Sequence, residues 1–458
     1  MFYYLPVGFS LIASLLCIIE RENLAALASI IAAGLSVATS FYILSLPTIT
    51  SNLLLIDGTS KIMLIIVSII YLTSVLFSLT YLKHVQKPLL RRNLYYLFLN
   101  LFASSMLFSV ILNNLGLIWV GIEATTITST LLVAIDNDEA AIESSWRYII
   151  IVSAGLIISL VGVVFIYAST HTLILSQIKQ LTLPNKRLLM LGGALAIVGF
   201  ATKAGIFPMH SWLADVHGRA IAPISAIFSA VLLPVALFGL FRVLEVIPAV
   251  KLHTFAFILG FLSVAFASIF LINQKFYKRM FAYSSIENMG MILIGLSLNT
   301  KYSLLGAFIL LMAHAFAKSS AFYTTGNILA VFNSRKISDI EGLTKTMPTA
   351  GYNLVLSTLA VSSAPPFGTF LGEVLIIYSL YSIKGLMLTL LLAIFLLLDF
   401  LALNTKVAKM AFSKTQQTRI KTESSMSLVI PVLNTILAFL VIFATGFVEK
   451  LIITGMIK

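Results

Sequence analysis

Residues 188–210 read LLMLGGALAIVGFATKAGIFPMH, an apolar run in which Lys203, a glycine and Pro208 come close together near the end. At about 1.5 Å per residue, a helix of this length crosses the roughly 30 Å of hydrocarbon in a bilayer. Proline cannot donate the backbone hydrogen bond that an interior helical turn requires. The stretch from Lys203 to His210 therefore predicts a membrane-spanning helix that is broken partway along its length.

A second interruption follows the same pattern. The run Ser362-Ser-Ala-Pro365-Pro366-Phe-Gly368 lies inside another apolar segment. One such break is equally well explained as a kink that the membrane tolerates. Two breaks, five spans apart, favour a transporter built from inverted repeats, in which unwound backbone lines a polar cavity near the midplane.

Composition extends the membrane assignment to the whole chain. Of its 458 residues, 59% are hydrophobic and 10% are charged, which leaves too little polar surface for a soluble protein of this size. The runs are almost continuously apolar, whereas the strands of a membrane barrel alternate. The sequence therefore predicts an all-α polytopic membrane protein with about fourteen spans. These lie near 4–19, 24–46, 62–82, 94–111, 115–135, 147–169, 188–209, 221–246, 254–272, 280–298, 302–331, 350–380, 385–404 and 427–447.

Lysine and arginine are unevenly divided between alternate loops. About 18 of them, including Arg92, Lys414, Arg419 and Lys421, fall in one set of loops, and about 9 fall in the other set and the termini. Because cytoplasmic loops carry the excess of positive charge, the richer set is predicted to face the cytoplasm. An even number of spans then places both termini on the outside.

The composition also limits the chemistry that we expect of this chain. Its net charge is +13, but the basic blocks interleaved with aromatic residues that bind nucleic acid are absent. Cys17 is the single cysteine, which excludes an internal disulfide and any cysteine-ligated metal or iron–sulfur site. We therefore expect no cofactor and no metal in this chain, and any redox cofactor belongs to partner subunits.

Several charged or titratable residues fall within or at the ends of predicted spans. Each ion near the bilayer centre costs about 2.5–3.5 kcal/mol, so these groups must be paired, hydrated or neutral. Such residues mark ion pathways more often than they serve the fold alone. They are Glu123, Lys203, Arg242, Glu245, Glu287, His314, Lys318, Glu373 and Asp399.

Each of these residues also has a structural interpretation. Glu123, whose helix face carries Thr126 and Thr130, is alternatively half of a structural ion pair. Lys203 is alternatively a side chain that snorkels to the interface, although about fifteen apolar residues precede it. If Lys203 stays buried, we expect it to find a carboxylate on another helix, such as that of Glu123.

His314 and Lys318 lie one turn apart on one face of the eleventh predicted span. The alternative for His314 is a core histidine with satisfied hydrogen bonds, and for Glu373, which follows the second break, it is an interfacial carboxylate. The depth of Glu287 stays open. Three further residues lie closer to predicted span ends, where anchoring or local pairing is favoured: Arg242, Glu245 and Asp399.

These residue types suit the transfer of protons or cations. A lysine held away from water releases its proton more readily, and a nearby carboxylate makes it hold the proton more tightly. Moving that carboxylate therefore switches the lysine between holding and releasing a proton. A row of such switches, separated by waters, is able to carry a proton along the membrane plane and then across it.

Five motifs carry a family resemblance that covers nearly the whole chain. They are NNLGLIWVGIEATT (113–126), TKAGIFPMHSWLADVH (202–217), KRMFAYSSIE (278–287), HAFAKSS (314–320) and PPFGTFLGE (365–373). The chain resembles the antiporter-like subunits shared by respiratory complex I and group 4 membrane-bound nickel–iron hydrogenases, above all hydrogenase-4 component F. The resemblance implies fourteen helices that form two inverted five-helix repeats, with broken seventh and twelfth helices.

On that scheme, residues 1–458 form a single membrane domain. Helices 1–3 occupy 1–93, the first repeat (helices 4–8) occupies 94–246, the second repeat (helices 9–13) occupies 254–404, and helix 14 occupies 427–447. The resemblance also implies roles for five residues in proton or ion translocation: Glu123 on helix five, Lys203 on helix seven, His314 and Lys318 as the central relay, and Glu373 as the exit-side carboxylate of helix twelve. Auxiliary roles fall to Arg242, Glu287, His210 and Asp399.

The chain departs from the family pattern at two positions. Many relatives have a lysine on the eighth helix where this chain has Pro234, so water or a neighbouring group must bridge the first pair and the centre. Asn288 stands where close relatives often carry histidine. This substitution removes one titrating group from the tenth helix.

These observations predict a membrane-arm subunit that couples electron transfer in partner subunits to the pumping of protons, or of sodium exchanged for protons. It would have other membrane and peripheral subunits as partners, and it would lie in the cytoplasmic membrane. One alternative is a subunit of a multi-subunit cation/proton antiporter, or of a carbon-concentrating pump, without oxidoreductase partners. A second alternative is a structural membrane anchor whose charges only pair helices.

Overall fold

The computed structural model describes residues 2–181, 186–414 and 425–456. Arg419 and Lys421, which contribute to the predicted charge asymmetry, lie outside the described residues. Within these ranges the chain is almost entirely helical, and eleven helices are long and apolar enough to cross a membrane. The short first helix and the two broken spans complete the predicted set of fourteen, so the predicted fold class is confirmed.

The spans follow one another with short connections. In chain order they are Phe2–Leu16, Glu22–Ser45, Gly58–Tyr81, Arg92–Ile111, Leu115–Val133, Glu139–Thr170, Lys186–Lys203 with Ser211–Arg219, Ala222–Val246, Val250–Ile272, Tyr277–Leu298, Lys301–Phe332, Pro348–Val361 with Gly368–Lys384, Leu386–Phe412, and Ser425–Leu440 with Thr445–Met456. A two-stranded hairpin, Ile49–Thr50 with Leu55–Ile56, lies in the connection after the second span.

Both ends of the described chain lie on one side of the bundle, which we name the terminal face. The hydroxyl of Tyr3 donates to the carbonyl of Pro47, and Lys301 pairs with Glu449 at 2.8 Å. Arg91 and Glu20 pair at 2.7 Å on the other side, the opposite face. The loops rich in lysine and arginine therefore lie on the face away from the termini.

The two breaks have the backbone that the sequence predicts. The seventh span stops at Lys203 and resumes at Ser211, and the twelfth stops at Val361 and resumes at Gly368. Around both breaks the eighth, tenth and eleventh spans form the buried centre of the bundle, whereas the thirteenth lies at its edge. The breaks thus open beside the most buried helices of the molecule.

Two predicted spans are longer in the structure. The sixth begins at Glu139 rather than residue 147, because the Asp138 side chain accepts from the Ala141 N–H and caps the helix there. The thirteenth continues to Phe412 rather than ending at 404, since lysine is a good helix former and does not end a helix. Asp399 therefore lies in the middle of its helix, and its expected position near a span end is wrong.

Candidate functional site

Lys203 is fully buried at the last residue before the break in the seventh span. Its ammonium donates to the hydroxyl of Thr126 at 2.9 Å and to that of Tyr148 at 2.6 Å. It also lies 4.8 Å from the centre of the Tyr148 ring. These hydroxyls replace part of the hydration that the ammonium loses on burial, which makes a buried lysine tolerable at this depth.

Glu123 lies on the fifth span, close to Lys203 but not in contact with it. Ser153 donates to one carboxylate oxygen at 2.8 Å, and the other oxygen is buried without a hydrogen-bond partner. The two charges interact electrostatically, yet no ion pair within 4.0 Å joins them. The direct contact expected from the sequence is therefore absent, because Lys203 bonds to the neighbouring hydroxyls of Thr126 and Tyr148 instead.

The break itself holds Lys203 in this place. Gly205 has a φ of +72°, in the left-handed region that glycine adopts at little cost, and it turns the chain out of the helix. The N–H of Ile206 donates back to the carbonyl of Ala201 at 2.9 Å. The indole of Trp212 donates to the Thr202 carbonyl at 3.0 Å, so a carbonyl freed by the break stays satisfied.

His314 and Lys318 lie at the centre of the eleventh span, and both are fully buried. The Lys318 ammonium donates to the Phe281 carbonyl at 2.9 Å and to the hydroxyl of Ser284, both on the tenth span. Nε2 of His314 lies 3.3 Å from the carbonyl of Ser229, whereas Nδ1 has no partner. The pair thus consists of a hydrogen-bonded lysine ammonium and a histidine with one ring nitrogen that has no hydrogen-bond partner.

Two carboxylates, Glu287 and Asp399, lie near Lys318 without a direct ion pair, and Glu373 lies near those two acids. Glu287, Asp399 and Glu373 interact electrostatically with one another, and Lys318 interacts with Glu287 and Asp399. Glu287 and Asp399 each keep one buried oxygen without a hydrogen-bond partner. Glu373 accepts from Ser363, a residue of the second break, at 2.6 Å. The structure therefore brings together one cation, a histidine and three acids, which we name the central cluster.

Of the two residues expected to depart from the family pattern, Asn288 lies beside the central cluster. The amide of Asn288 donates to the adjacent Glu287 carboxylate at 2.5 Å and lies 3.4 Å from the Val361 carbonyl at the second break. Pro234 follows a π-helical turn, Phe228–Leu232, in the eighth span. Neither residue titrates; the amide of Asn288 bonds to a carboxylate of the cluster, and Pro234 removes one backbone N–H from the eighth span.

The eighth span connects the Lys203 group to the central cluster. Phe228 packs on the Tyr148 ring with centroids 5.4 Å apart, and Tyr148 holds Lys203. The hydroxyl of the next residue, Ser229, hydrogen-bonds with that of Ser285 at 2.7 Å, and its carbonyl lies beside His314. Two successive residues of one turn therefore contact both groups.

His217 lies in a motif that carries the family resemblance, but no role is predicted for it from the sequence. It lies on the short helix after the first break, is fully buried, and neither ring nitrogen has a hydrogen-bond partner. Its ring stacks on Phe322 at 4.8 Å, one turn beyond Lys318, with which it interacts electrostatically. The sequence signal that could have identified His217 is its spacing of seven residues from His210. A second histidine so close to the break indicates a second polar group in the same part of the membrane.

His210 and Arg242 lie outside both groups. His210 packs among Phe207, Phe270 and Tyr283 at the start of the short helix after the break. Arg242 is buried near the terminal face, where it pairs with Asp57 at 2.7 Å and with Glu245 at 2.6 Å. Burial alone would raise the pKa of Asp57, but the Arg242 charge outweighs it and holds that pKa below its usual value.

A charged cavity opens on the opposite face next to the short helix that carries His217. Asp215 pairs there with Arg147 at 3.3 Å and with Arg279 at 3.5 Å. Lys278 reaches from this cavity to the carbonyl of Ala220. Beside it, burial raises the pKa of the loop residue Asp136, despite the nearby positive charges.

Comparisons with known proteins agree with this geometry. The sequence profile of a family described as NADH:quinone oxidoreductase/Mrp antiporter, transmembrane, matches residues 112–398. A hydrogenase-4 component F homolog from Methylacidiphilum infernorum is 30% identical over 431 residues, which cover 90% of this chain and 89% of the relative. The profile match includes every residue of the two charged groups except Asp399, which directly follows its last matched residue.

Two solved structures share the fold. A chain of the membrane-bound sulfane sulfur reductase, an archaeal respiratory membrane complex, aligns with a TM-score of 0.90 at 22% identity, over 99% of this chain and 96% of that chain. A chain of the Mrp complex from Dietzia sp. DQ12-45-1b aligns with a TM-score of 0.87 at 17% identity, over 98% and 96%. At these identities the likeness concerns the fold alone.

Proposed function

Because this chain belongs to the NADH:quinone oxidoreductase/Mrp antiporter family of membrane proteins, we propose that it is the proton-translocating subunit of a larger membrane complex. The observation that carries the proposal is the row of titratable groups at bilayer depth, from half-buried Glu123 and buried Lys203 to buried Lys318 and half-buried Glu373. Each charge costs about 2.5–3.5 kcal/mol near the bilayer centre, and such residues mark ion and proton pathways.

Protons move along this row by changes in pairing. When the Glu123 carboxylate approaches Lys203, it stabilises the ammonium, and when it withdraws, the buried lysine gives up its proton. Tyr148 and the π turn of the eighth span lie between this lysine and His314. The central cluster then takes the proton, and Glu373 on the far side of the second break releases it.

The energy for this movement comes from partner subunits. Cys17 is the only cysteine and no cofactor is expected in this chain, so electron transfer belongs to those partners. A complex I-like or membrane-bound hydrogenase complex is the proposed setting, because the relative named above is a homolog of a hydrogenase-4 component. An antiporter without oxidoreductase partners is the second candidate, since the family profile and one solved structure include Mrp antiporters.

The test uses inside-out vesicles that contain the whole complex, with a pH-sensitive dye as the readout. The double variant Glu123→Gln with Lys203→Met should assemble and bind its partners but lose proton transport. Wild-type transport by this variant would support the structural-anchor alternative and overturn the proposal. If proton movement requires added sodium and continues without an electron donor, the second candidate replaces the first.

We also propose that the terminal face is the outside and that the membrane is the cytoplasmic one. The lysine-rich loops lie on the opposite face, and such loops stay in the cytoplasm. Reporter fusions after Arg92 and after Lys414 should both report the cytoplasm, and a fusion after Lys458 should report the outside. A cytoplasmic reporter at Lys458 would reverse the exit side assigned to Glu373.

A further inference from the structure

The π turn of the eighth span leaves one carbonyl without a helical donor. Within this turn the N–H of Leu233 donates to the carbonyl of Phe228, five residues back, instead of to Ser229. At the same spacing, the next donor along the chain would be residue 234 and its acceptor would be Ser229. Residue 234 is proline and has no N–H, so the Ser229 carbonyl is free.

That carbonyl lies beside His314. Nε2 of the His314 ring lies 3.3 Å from the oxygen, and both residues are fully buried. A carbonyl oxygen accepts hydrogen bonds but cannot donate them, so the ring nitrogen facing it must carry a proton. Nδ1, on the other side of the ring, is buried without a hydrogen-bond partner.

We propose that Pro234 and the π turn together fix the tautomer of His314, so that Nε2 keeps its proton and Nδ1 is the atom that takes up and gives off protons. Pro234 is thus a positioning residue that acts through the Ser229 carbonyl. The inference rests on the proposed function, because it assigns one atom to the relay in which His314 takes part.

The side chain of Ser229 takes no part in fixing the His314 tautomer. Its hydroxyl hydrogen-bonds with that of Ser285 at 2.7 Å, and only the backbone carbonyl faces His314. Pro223 provides a second separate feature on the same span. It lies in the first turn of the helix, where its missing N–H would have had no helical acceptor in any case. Replacing either side chain should leave the Ser229 carbonyl free.

The experiment is solid-state nitrogen NMR on the assembled complex in lipid bilayers, with nitrogen-15 histidine and with His314→Gln to assign the signal. In the wild-type chain, His314 should show a protonated Nε2 and a bare Nδ1. Pro234→Ala adds an N–H that competes for the Ser229 carbonyl, so the Nδ1-protonated tautomer should become populated and proton transport should fall. Pro223→Ala and Ser229→Ala should keep the wild-type tautomer.

A wild-type ring protonated at Nδ1 overturns the inference, and so does an unchanged His314 signal in Pro234→Ala. Alanine is the best helix former, so this variant is expected to fold and assemble. The NMR readout does not depend on transport. If the NMR signals show the expected tautomers while His314→Gln pumps normally, Pro234 does fix the tautomer of His314. In that case the relay role of His314 in the proposed function is wrong.

Discussion

The seventh and twelfth spans break with the same backbone and different chemistry. Gly205 and Ser363 both have a positive φ, and both breaks contain a hydrogen bond of 2.9 Å from the residue after them back into the preceding helix. A side chain of the second half also closes each break, since Trp212 donates to the Thr202 carbonyl and Thr369 donates to that of Ala360. The architecture of the break is therefore repeated.

The charges are repeated only in part. In the register set by the two breaks, the position of Lys203 corresponds to the buried Val361, and the position of Asp215 corresponds to Glu373. Asp215 pairs with two arginines beside a cavity on the opposite face, whereas Glu373 bonds to its own break. Both breaks thus have an acid after them, but only the first has a cation before it, and only the acid of the second bonds to a residue of its own break. The backbone of the two breaks is therefore repeated, whereas the side chains around each break determine its chemistry.

The largest effect is expected from Lys318, the cation that both halves of the pathway share. Lys318→Met nearly keeps the volume and removes the proton carrier, so transport should fall by roughly 100-fold, the scale of losing one proton-transfer group. The measurement is donor-driven acidification of inside-out vesicles. Lys61→Met is the matched control, because Lys61 is also buried but its ammonium bonds to backbone carbonyls near the terminal face. Equal losses in the two variants would contradict a specific role for Lys318.

A smaller loss of proton transport is expected when Glu373 is changed. Asp215, the residue at the corresponding position of the first break, allows the two breaks to be compared directly. Glu373→Gln keeps the shape and the bond from Ser363 but cannot carry a proton, so transport should fall by roughly tenfold or more while the complex still assembles. Asp215→Asn removes the acid at the corresponding position of the first break. It should change transport little, since exposed ion pairs contribute less than about 1 kcal/mol. A variant Glu373→Gln that fails to assemble would identify Glu373 as structural.

Tyr148 provides a graded test of the first break. Tyr148→Phe removes one of the two hydroxyls that hold Lys203 and keeps the ring packed on Trp212. A hydrogen bond to a charged group contributes about 1.5–3 kcal/mol, so transport should slow by roughly tenfold without being lost. Tyr71→Phe, which removes a buried hydroxyl bonded to Asn100, is the control. Unchanged transport in Tyr148→Phe would mean that Thr126 alone holds the ammonium.

The smallest effect concerns the backbone that the two breaks share. Gly205→Ala places a side chain at positive φ and 3.1 Å from Leu213, so it should lower stability by about 1–2 kcal/mol. Ser363→Gly relieves the same conformation at the second break but removes the bond to Glu373. Thermal unfolding in detergent should therefore show a loss for Gly205→Ala and a smaller change for Ser363→Gly. Equal stability of Gly205→Ala and wild type would contradict the strained turn.

Sequence reasoning predicted the broken helices because proline and glycine act locally and leave a signal in a single run of residues. It placed Asp399 wrongly, since hydropathy fades at Lys406 while the helix continues. It also expected Glu123 to contact Lys203 directly. Which hydroxyls reach an ammonium depends on how three helices pack, and no local pattern in the sequence records that packing.

His217 and the Ser229 carbonyl show a second kind of functional group that could not be predicted from the sequence. His217 is quoted in a motif, but only the fold shows that its ring lies over Phe322 with both nitrogens free. The carbonyl of Ser229 has no side-chain signature, although Pro234 marks the helix position where a donor is missing. The sequence therefore does not identify a functional group that belongs to the backbone, such as the Ser229 carbonyl, or one that becomes recognisable only through its buried surroundings, such as His217.

The central claim is that Lys203 takes up and releases a proton, whereas a structural role requires only its positive charge. Lys203→Arg separates the two, because arginine keeps the charge and can bond to Thr126 and Tyr148 but does not release a proton in a protein. Proton transport by the assembled complex in vesicles, measured with its electron-transfer rate, is the deciding measurement. We predict that the variant assembles, binds its partners and fails to pump. Pumping near the wild-type rate would contradict the account.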